Sequence, residues 1–284
     1  MANDAIVSNP SETQLATDEA IGFVKTRLRT LIVQCLALGI CVLIWHLLAA
    51  NHAKFFGVTF ANVPTPADAL ASAWELLHSP KLLLHLGSSL YRVAIGFGVA
   101  AVLGVALGLL IGRFHWARNA FFPPLEVLRP IPAVAWIPLA ILMFTSSEAS
   151  MIFITFIGAI FPILLNTIHG VEGVDARLVA AARSLGSGRF AIFIEVIVPA
   201  SAPAIVTGLS IGMGTCWFCL VSAEMISGQF GIGYYTWESY SVQNYPNIVV
   251  GMLLIGALGM GSSQLIRVLG KWLMPWYAPG ERAS

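Results

Sequence analysis

Charge is what this sequence has least of. Only 10% of its 284 residues are Asp, Glu, Lys or Arg, against about 25% in ordinary soluble domains. Hydrophobic residues make up 57%, and a soluble enzyme with several long uncharged apolar runs would aggregate. The composition therefore points to a membrane protein, and a net charge of +1 gives no reason to expect a nucleic-acid partner. Cysteine is scarce too. Cys35, Cys41, Cys216 and Cys219 all lie in apolar segments, whereas a disulfide framework needs loop cysteines in an oxidising compartment. The C-x-x-C at 216–219 sits in a stretch that reads as a buried helix, so its cysteines are small apolar fillers. Chemical motifs are missing as well. There is no G-x-x-x-x-G-K-[ST] phosphate loop, no G-x-S-x-G nucleophile elbow and no H-E-x-x-H. His46, His52, His78, His85, His115 and His169 are scattered without metal spacing. No catalytic residue, metal ligand or cofactor bound by this chain is expected.

What is present is a series of apolar runs. A spanning helix needs about 20 mostly apolar residues, and six segments approach this: roughly 30–50, 87–112, 120–144, 149–170, 196–226 and 247–270. Pro130, Pro132 and Pro138 in the third, and Pro199 and Pro203 in the fifth, predict broken or kinked helices. The fold class is an all-α membrane protein of six transmembrane helices. The first two dozen residues, up to Val24, are polar and read as disordered. With the basic cluster Lys25, Arg27 and Arg29 they form an N-terminal tail, 1–29, ahead of an uncleaved first span rather than a signal peptide. The membrane domain covers 30–270, and 271–284 form a C-terminal tail. Of the fifteen Lys and Arg, eleven flank the ends that meet at one side of the membrane, and only Lys54 and Lys81 flank the other. The positive-inside rule then puts both termini in the cytoplasm.

Between the first two spans, Ala67, Leu70, Trp74 and Leu77 recur at helical spacing. They define either an amphipathic helix along the outer interface or a connecting helix packed on the bundle. Gly104, Gly108 and Gly112 on the second span, and Gly208 and Gly212 on the fifth, allow close helix packing. With Gly214 added, a hinge in the fifth span stays open as an alternative.

The longest connection on the basic side, 171–195, contains the stretch AARSLGSGRFAIFIEVIVPAS (181–201). Good helix formers from Leu178 to Arg183 stop near Gly186 and Gly188, and a second short helix follows and runs into Pro199. A bare connection needs only a few residues. This one predicts a helix-turn-helix knob suited to a cleft on a cytoplasmic partner. The spacing A-A-x-x-x-G, nine residues, then apolar-x-apolar-Pro resembles the EAA motif of permease subunits of binding-protein-dependent ABC importers. Ala181, Ala182 and Gly186 fall on its first half, and Val196, Val198 and Pro199 on its end. Ala180 stands where the motif usually has glutamate. The resemblance runs over roughly 60–275 through SSLYRVAIGFGVAAVLGVALGLLIG, LRPIPAVAWIPLAILMF, FPILLNTIHGV and SAEMISGQFGIGY, and looks like the branch that imports sulfonate, taurine, nitrate and bicarbonate. It implies that the segment is a coupling helix docking into a cytoplasmic ATPase, with Ala181, Ala182, Arg183, Gly186, Arg189 and Pro199 as coupling residues. It also implies an ABC ATPase dimer carrying ATP and Mg, a periplasmic solute-binding protein, and a second permease copy.

Ionisable groups within spans call for a functional hypothesis. Arg92 supplies positive potential at an anion's entrance, or else snorkels to the interface. Arg129 is expected to pair internally with Glu126 at i, i+3. Glu224 would repel an anion, so a structural or gating role is expected, with cation transport as the opposite reading. Ser210, Thr215, Trp217 and Ser222 mark a polar side of the fifth span, as a pore face or as side chains bonded to their own helix. GQFGIGYYTWESY, after that span, reads as an interfacial aromatic belt or a docking edge for a binding protein. The alternative to an importer is a secondary transporter or channel without an ATPase, which would show broken or charged midplane sites in repeated halves.

Overall fold

The computed structural model describes residues 10–277, with side chains at Lys25 and from Arg27 onward. The described residues fall into two compact units that divide between Ala69 and Leu70. In the first, α1 (Pro10–Ala50) includes an apolar stretch, Arg27–Ala50, long enough to cross a membrane. Residues 10–24, expected as a disordered tail, are helical in the structure. Residues 11–25 hold no proline, and their one glycine, Gly22, weakens a helix propagating back from the span without stopping it. Residues 1–9 and 278–284 lie outside the described residues. A short hairpin, β1 (Lys54–Phe55) and β2 (Val58–Thr59), is a small exception to the all-α expectation. Trp45 Nε1 donates to the Pro64 carbonyl at 3.0 Å, tying the end of α1 to the chain leading into α2 (Pro66–Leu77). The Asp68 carboxyl accepts from the Thr65 hydroxyl and amide, which holds it below the usual carboxylate range. On α2, Leu70, Trp74 and Leu77 are exposed, while Ala73 and Leu76 pack inward. The apolar stripe read from the sequence is therefore the outward face.

The second unit is a helical bundle: α3 (Pro80–Arg113), α4 (His115–Leu128), α5 (Ile137–Met143), α6 (Ser147–Glu172), α7 (Ala176–Ser184), α8 (Arg189–Ile192), α9 (Val198–Ser227), α10 (Ile232–Ser241) and α11 (Tyr245–Leu273). Among the described residues, five helices are long and apolar enough to span, and a sixth crossing arises if His115–Leu128 and Ala133–Met143, bent by 86°, count as one. That break falls where the prolines predicted it. Pro130 and Pro132 remove amide donors, and the chain restarts through a 3₁₀ turn, Ala133–Trp136. Because α4 stops at Leu128, Arg129 lies at the break. Both Glu126 and Arg129 are exposed, and the expected ion pair between them does not form.

Helix α6 is the centre of the bundle, clasped by α3 on one side and α9 on the other through glycines. A Cβ on Gly104 would meet Ile163 at 2.9 Å, one on Gly108 would meet Thr167 at 2.5 Å, and one on Gly112 would meet Val171 at 2.8 Å. Gly208 approaches Asn166 and Gly212 approaches Ile163 in the same way. The partners rise along α6 for the α3 series and fall for the α9 series, so α3 runs parallel to α6 and α9 antiparallel. Both glycine series are therefore packing devices, and Gly214 has open space around it. The core between them holds Ala100, Ile154, Ile163, Cys216, Cys219 and Leu220, with both cysteines buried and free.

Candidate functional site: a coupling knob and a buried ionic lock

At the end of the bundle where α3, α6 and α11 finish and α9 begins, the connection 173–188 forms the knob. Asp175 caps α7: its carboxylate accepts from the Arg177 amide at 2.8 Å and pairs with the Arg177 guanidinium at 2.7 Å. These bonds hold the Asp175 carboxyl below its ordinary range and raise Arg177. The turn is made at Gly186, with φ of +85°, a left-handed conformation that glycine adopts without strain. One side of the knob is anchored: Val179, Ala182, Phe193 and Val196 pack on buried Val171, Ile192 and Ile197. The other side presents Leu178, Leu185 and Phe190 to the outside at 52%, 87% and 78% exposure, interleaved with exposed Arg177, Arg183 and Arg189. Ala181, Ala180 and Gly186 are exposed, and Ala182 is half-buried. Where α3 ends, Arg113 and Phe114 face Arg183, Arg189, Phe190 and Phe193 across a pocket of about 520 Å³.

The expected second short helix is not separate. α8 runs through a π turn, Phe193–Ile197, straight into α9. Pro199 lacks an amide and its ring would strike the carbonyl four residues back, so the turn ahead of it widens instead of stopping. Pro199 thus sits in the first turn of α9 rather than ending a helix, and the knob is joined rigidly to that span.

At the opposite end, three spans and a loop converge on two buried charges. Arg92, near the start of α3, is 1% exposed, and Glu224, near the end of α9, is 0% exposed. The guanidinium grips Glu148 of α6 with two bonds, Nε to Oε2 at 2.8 Å and Nη2 to Oε1 at 2.5 Å. Nη1 donates to Glu224 Oε1 at 2.8 Å and to the Phe230 carbonyl at 2.6 Å. Ser89 Oγ also donates to Glu224 Oε1, at 2.7 Å, and the Gly233 amide donates to Oε2 at 2.9 Å. Ser89 Oγ in turn accepts from the Ile232 amide, and His85 Nδ1 accepts from the Gly231 amide. Both oxygens of the buried carboxylate are met by donors, which is what makes a buried charge tolerable. Gly231 is required here twice over: its φ is +133°, and a side chain would run into the Glu224 carboxylate.

Arg92 therefore neither snorkels nor faces an opening within this chain. It and Glu224, expected separately, are brought together. Glu148, Ser89, His85 and Gly231 were missed by sequence reasoning. The available signal was charge balance, since an intramembrane arginine needs acids at its own depth, and Glu148 and Glu224 both lie at the matching helix ends. The remaining residues of the fifth span do not form one face. Trp217, 2% exposed, donates to Ser262 Oγ of α11 at 2.9 Å. Thr215 donates to the Gly158 carbonyl of α6 at 2.8 Å, and Ser222 bonds to its own helix at Phe218. Of these span residues, Ser210 is the one whose buried hydroxyl has no hydrogen-bond partner. In α10, Ile232, Thr236 and Ser239 point inward while Trp237 and Tyr240 are exposed.

Two features now stand on one bundle, an exposed knob at one end and a locked helix cluster at the other, and residues 102–279 match the model of the family described as "Binding-protein-dependent transport system inner membrane component". The chain belongs to this family. It is a permease of the ABC importer class, a multi-pass inner-membrane component. Similar proteins include the nitrate import permease protein NrtB of Synechocystis sp., 33% identical over 84% of this permease and 88% of that chain. The permease protein SsuC of Bacillus subtilis, named for aliphatic sulfonates transport, is 33% identical over 84% and 85%. The bicarbonate transport system permease protein CmpB of Synechococcus elongatus is 35% identical over 66% and 68%.

Proposed function

We propose that this permease carries a small anion, inorganic or organic, inward by alternating access. The energy comes from a separate cytoplasmic ATPase dimer that binds ATP and Mg, the cargo comes from a periplasmic binding protein, and a second copy of the chain completes the path. The observation that carries this reading is the knob's division into an anchored side and an exposed apolar side, Leu178, Leu185 and Phe190. Three large apolar groups held out on a rigid, basic loop are a surface for another protein. The pocket between Arg113 and Arg189 supplies a place for an acidic side chain of that partner. The basic end accordingly faces the cytoplasm. Relatives named for nitrate, aliphatic sulfonates and bicarbonate transport support an anionic cargo.

The geometry also supports a route for the motion. The knob lies between α6 and α9, the two helices clasped along their length by glycines and joined to α3 through Arg92. A shift imposed at the knob then moves α3, α6 and α9 as one body rather than bending them, because close-packed interfaces resist continuous deformation. Ser210, whose buried hydroxyl on α9 has no partner in this arrangement, would meet cargo only where the bundle opens, and Arg92 and Glu224 act as its structural lock. A ligand shifts such a two-state system only by its differential affinity, so the permease needs no strong site of its own.

The test is the ATPase activity of the reconstituted complex with and without loaded binding protein, alongside a Leu185→Glu/Phe190→Glu variant. Stimulation should fall at least tenfold and the ATPase should no longer co-purify, while the variant melts at the wild-type temperature. Undiminished stimulation in that variant, or cargo uptake with no ATPase associated, would overturn the reading.

A further inference from the structure

Beside the knob, at the same end of the bundle, the closing ends of α6 and α11 and the opening of α9 leave a notch of about 550 Å³. Its floor exists because small residues bring the helices together. A Cβ on Gly170 would meet Ala204 at 2.7 Å, and Gly270 has no room for a side chain against Val206. Above that floor stand His169 of α6 and, one turn apart on α11, Arg267 and Lys271. None of the residues lining the notch is acidic. Glu172, the nearest acid in sequence on α6, is already paired with Arg118. Neither Arg267 nor Lys271 has a carboxylate partner among the described residues. The walls are apolar, with Pro203, Val206 and Met274. Tyr277 closes the edge of the notch, and, with Trp272 and Trp276 beyond, it is exposed, at 50%, 84% and 60% respectively, the placement of aromatic side chains at a lipid–water boundary.

A site with cationic groups at its rim, apolar walls below and an aromatic belt alongside matches an amphiphile with an anionic head. Basic notches between spans on the cytoplasmic side are where anionic headgroups are held. We propose that this notch binds the phosphate of an anionic phospholipid from the cytoplasmic leaflet, with Arg267 and Lys271 on the phosphate, His169 as a further donor, and the upper acyl chain along Val206 and Met274. The apolar walls favour a lipid over a free anion of the same charge, because a soluble anion gains nothing from them and loses hydration beside them. A lipid seated here wedges α11 against α9 at the root of the coupling knob, so the membrane's anionic content enters the stability of the element that the ATPase is proposed to engage. The inference rests on the cytoplasmic placement of the basic end proposed above.

The experiment uses the full-length permease purified in detergent, titrated with phosphatidylglycerol or phosphatidylcholine and read by native mass spectrometry and by melting temperature. Phosphatidylglycerol should bind and raise the melting temperature. Arg267→Gln/Lys271→Gln should weaken that binding about 30-fold, because two basic groups near the surface no longer attract the phosphate. Lys54→Gln/Lys81→Gln, the same charge change elsewhere in the chain, should leave it unaltered. If the double variant does not fold, Lys271→Gln with rescue by Lys271→Arg gives the same reading at smaller amplitude. Equal binding of phosphatidylcholine would reduce the notch to an apolar groove and overturn the proposal. So would unchanged binding in the variant. Competition by millimolar inorganic phosphate that is abolished in the same variant would assign the site to a soluble anion and overturn the lipid. None of these readouts involves the ATPase or cargo, so a failed importer reading and a failed lipid site give different results.

Discussion

Arg92 holds two acids, and the two are not equivalent. Glu148 is half exposed, with 54% of its side chain open, whereas Glu224 is sealed. Removing the guanidinium leaves Glu224 buried and uncompensated, so Arg92→Ala should destabilise the chain by about 3–5 kcal/mol. Glu148→Gln, whose partner keeps Glu224, should cost no more than about 1 kcal/mol. The discriminating measurement is a double-mutant cycle by thermal or denaturant unfolding in detergent. Arg92→Met/Glu224→Gln should be more stable than Arg92→Met alone, because the buried charge leaves with its partner. A double variant as unstable as the single one would show that packing, not charge, accounts for the loss. Arg92→Lys should also fall short of the wild type, since an ammonium cannot reproduce the fork that reaches Glu148 twice, Glu224 and the Phe230 carbonyl together.

Among the elements, α6 and α7 carry the arguments that substitution can separate. Gly108 lies against Thr167 and the Leu164 carbonyl, and backbone cannot give way as a flexible side chain does. Gly108→Val should overpack the α3–α6 seam, cost about 1–3 kcal/mol and lower the yield of folded protein, whereas Gly214→Val, in open space, should not destabilise the helix, because valine exceeds glycine in helix propensity by a fraction of 1 kcal/mol. In the knob, Gly186 also has nothing near it, so its requirement is conformational. Gly186→Ala should cost about 1–2 kcal/mol of local backbone strain and loosen the α7 turn without unfolding the bundle. Hydrogen exchange should report faster opening over 176–188 and unchanged protection in α6. The cap at Asp175 has an acid dependence of known sign. Its carboxyl is depressed in the folded state by Arg177, so its contribution is complete above the unfolded value of about 4 and fades as pH falls through the lower folded value. Between pH 5 and 8, coupling should not depend on this residue's titration.

For the whole molecule, the question that decides the rest is which way the bundle points. In a background with its four cysteines replaced, Ser184→Cys at the knob should react with a membrane-impermeant maleimide only in inside-out vesicles. Ser79→Cys, at the N-cap of α3 on the opposite end, should react only in right-side-out cells. The reverse pattern would place the basic end outside and remove the proposed site of ATPase docking.

Sequence alone determined the membrane class, the run of apolar segments, the break in the third at Pro130 and Pro132, the packing role of Gly104, Gly108 and Gly112 and the existence of a knob around Gly186. Each follows from local rules: length of an apolar run, missing amides, residue size at a helical period, and a backbone conformation that glycine adopts most readily. Tertiary structure alone brought Arg92 and Glu224 together. They are 132 residues apart, and nothing local in either segment says whether a buried charge faces a path or a partner. It also decided that Trp217 and Thr215 tie helices together rather than line a shared face, because a helical period gives a side but not what stands beside it. The continuity of α8 with α9 belongs to the same class. A proline's local rule predicts a stop, and the packing of Phe193, Val196 and Ile197 against α6 and the knob holds the chain helical through a widened turn.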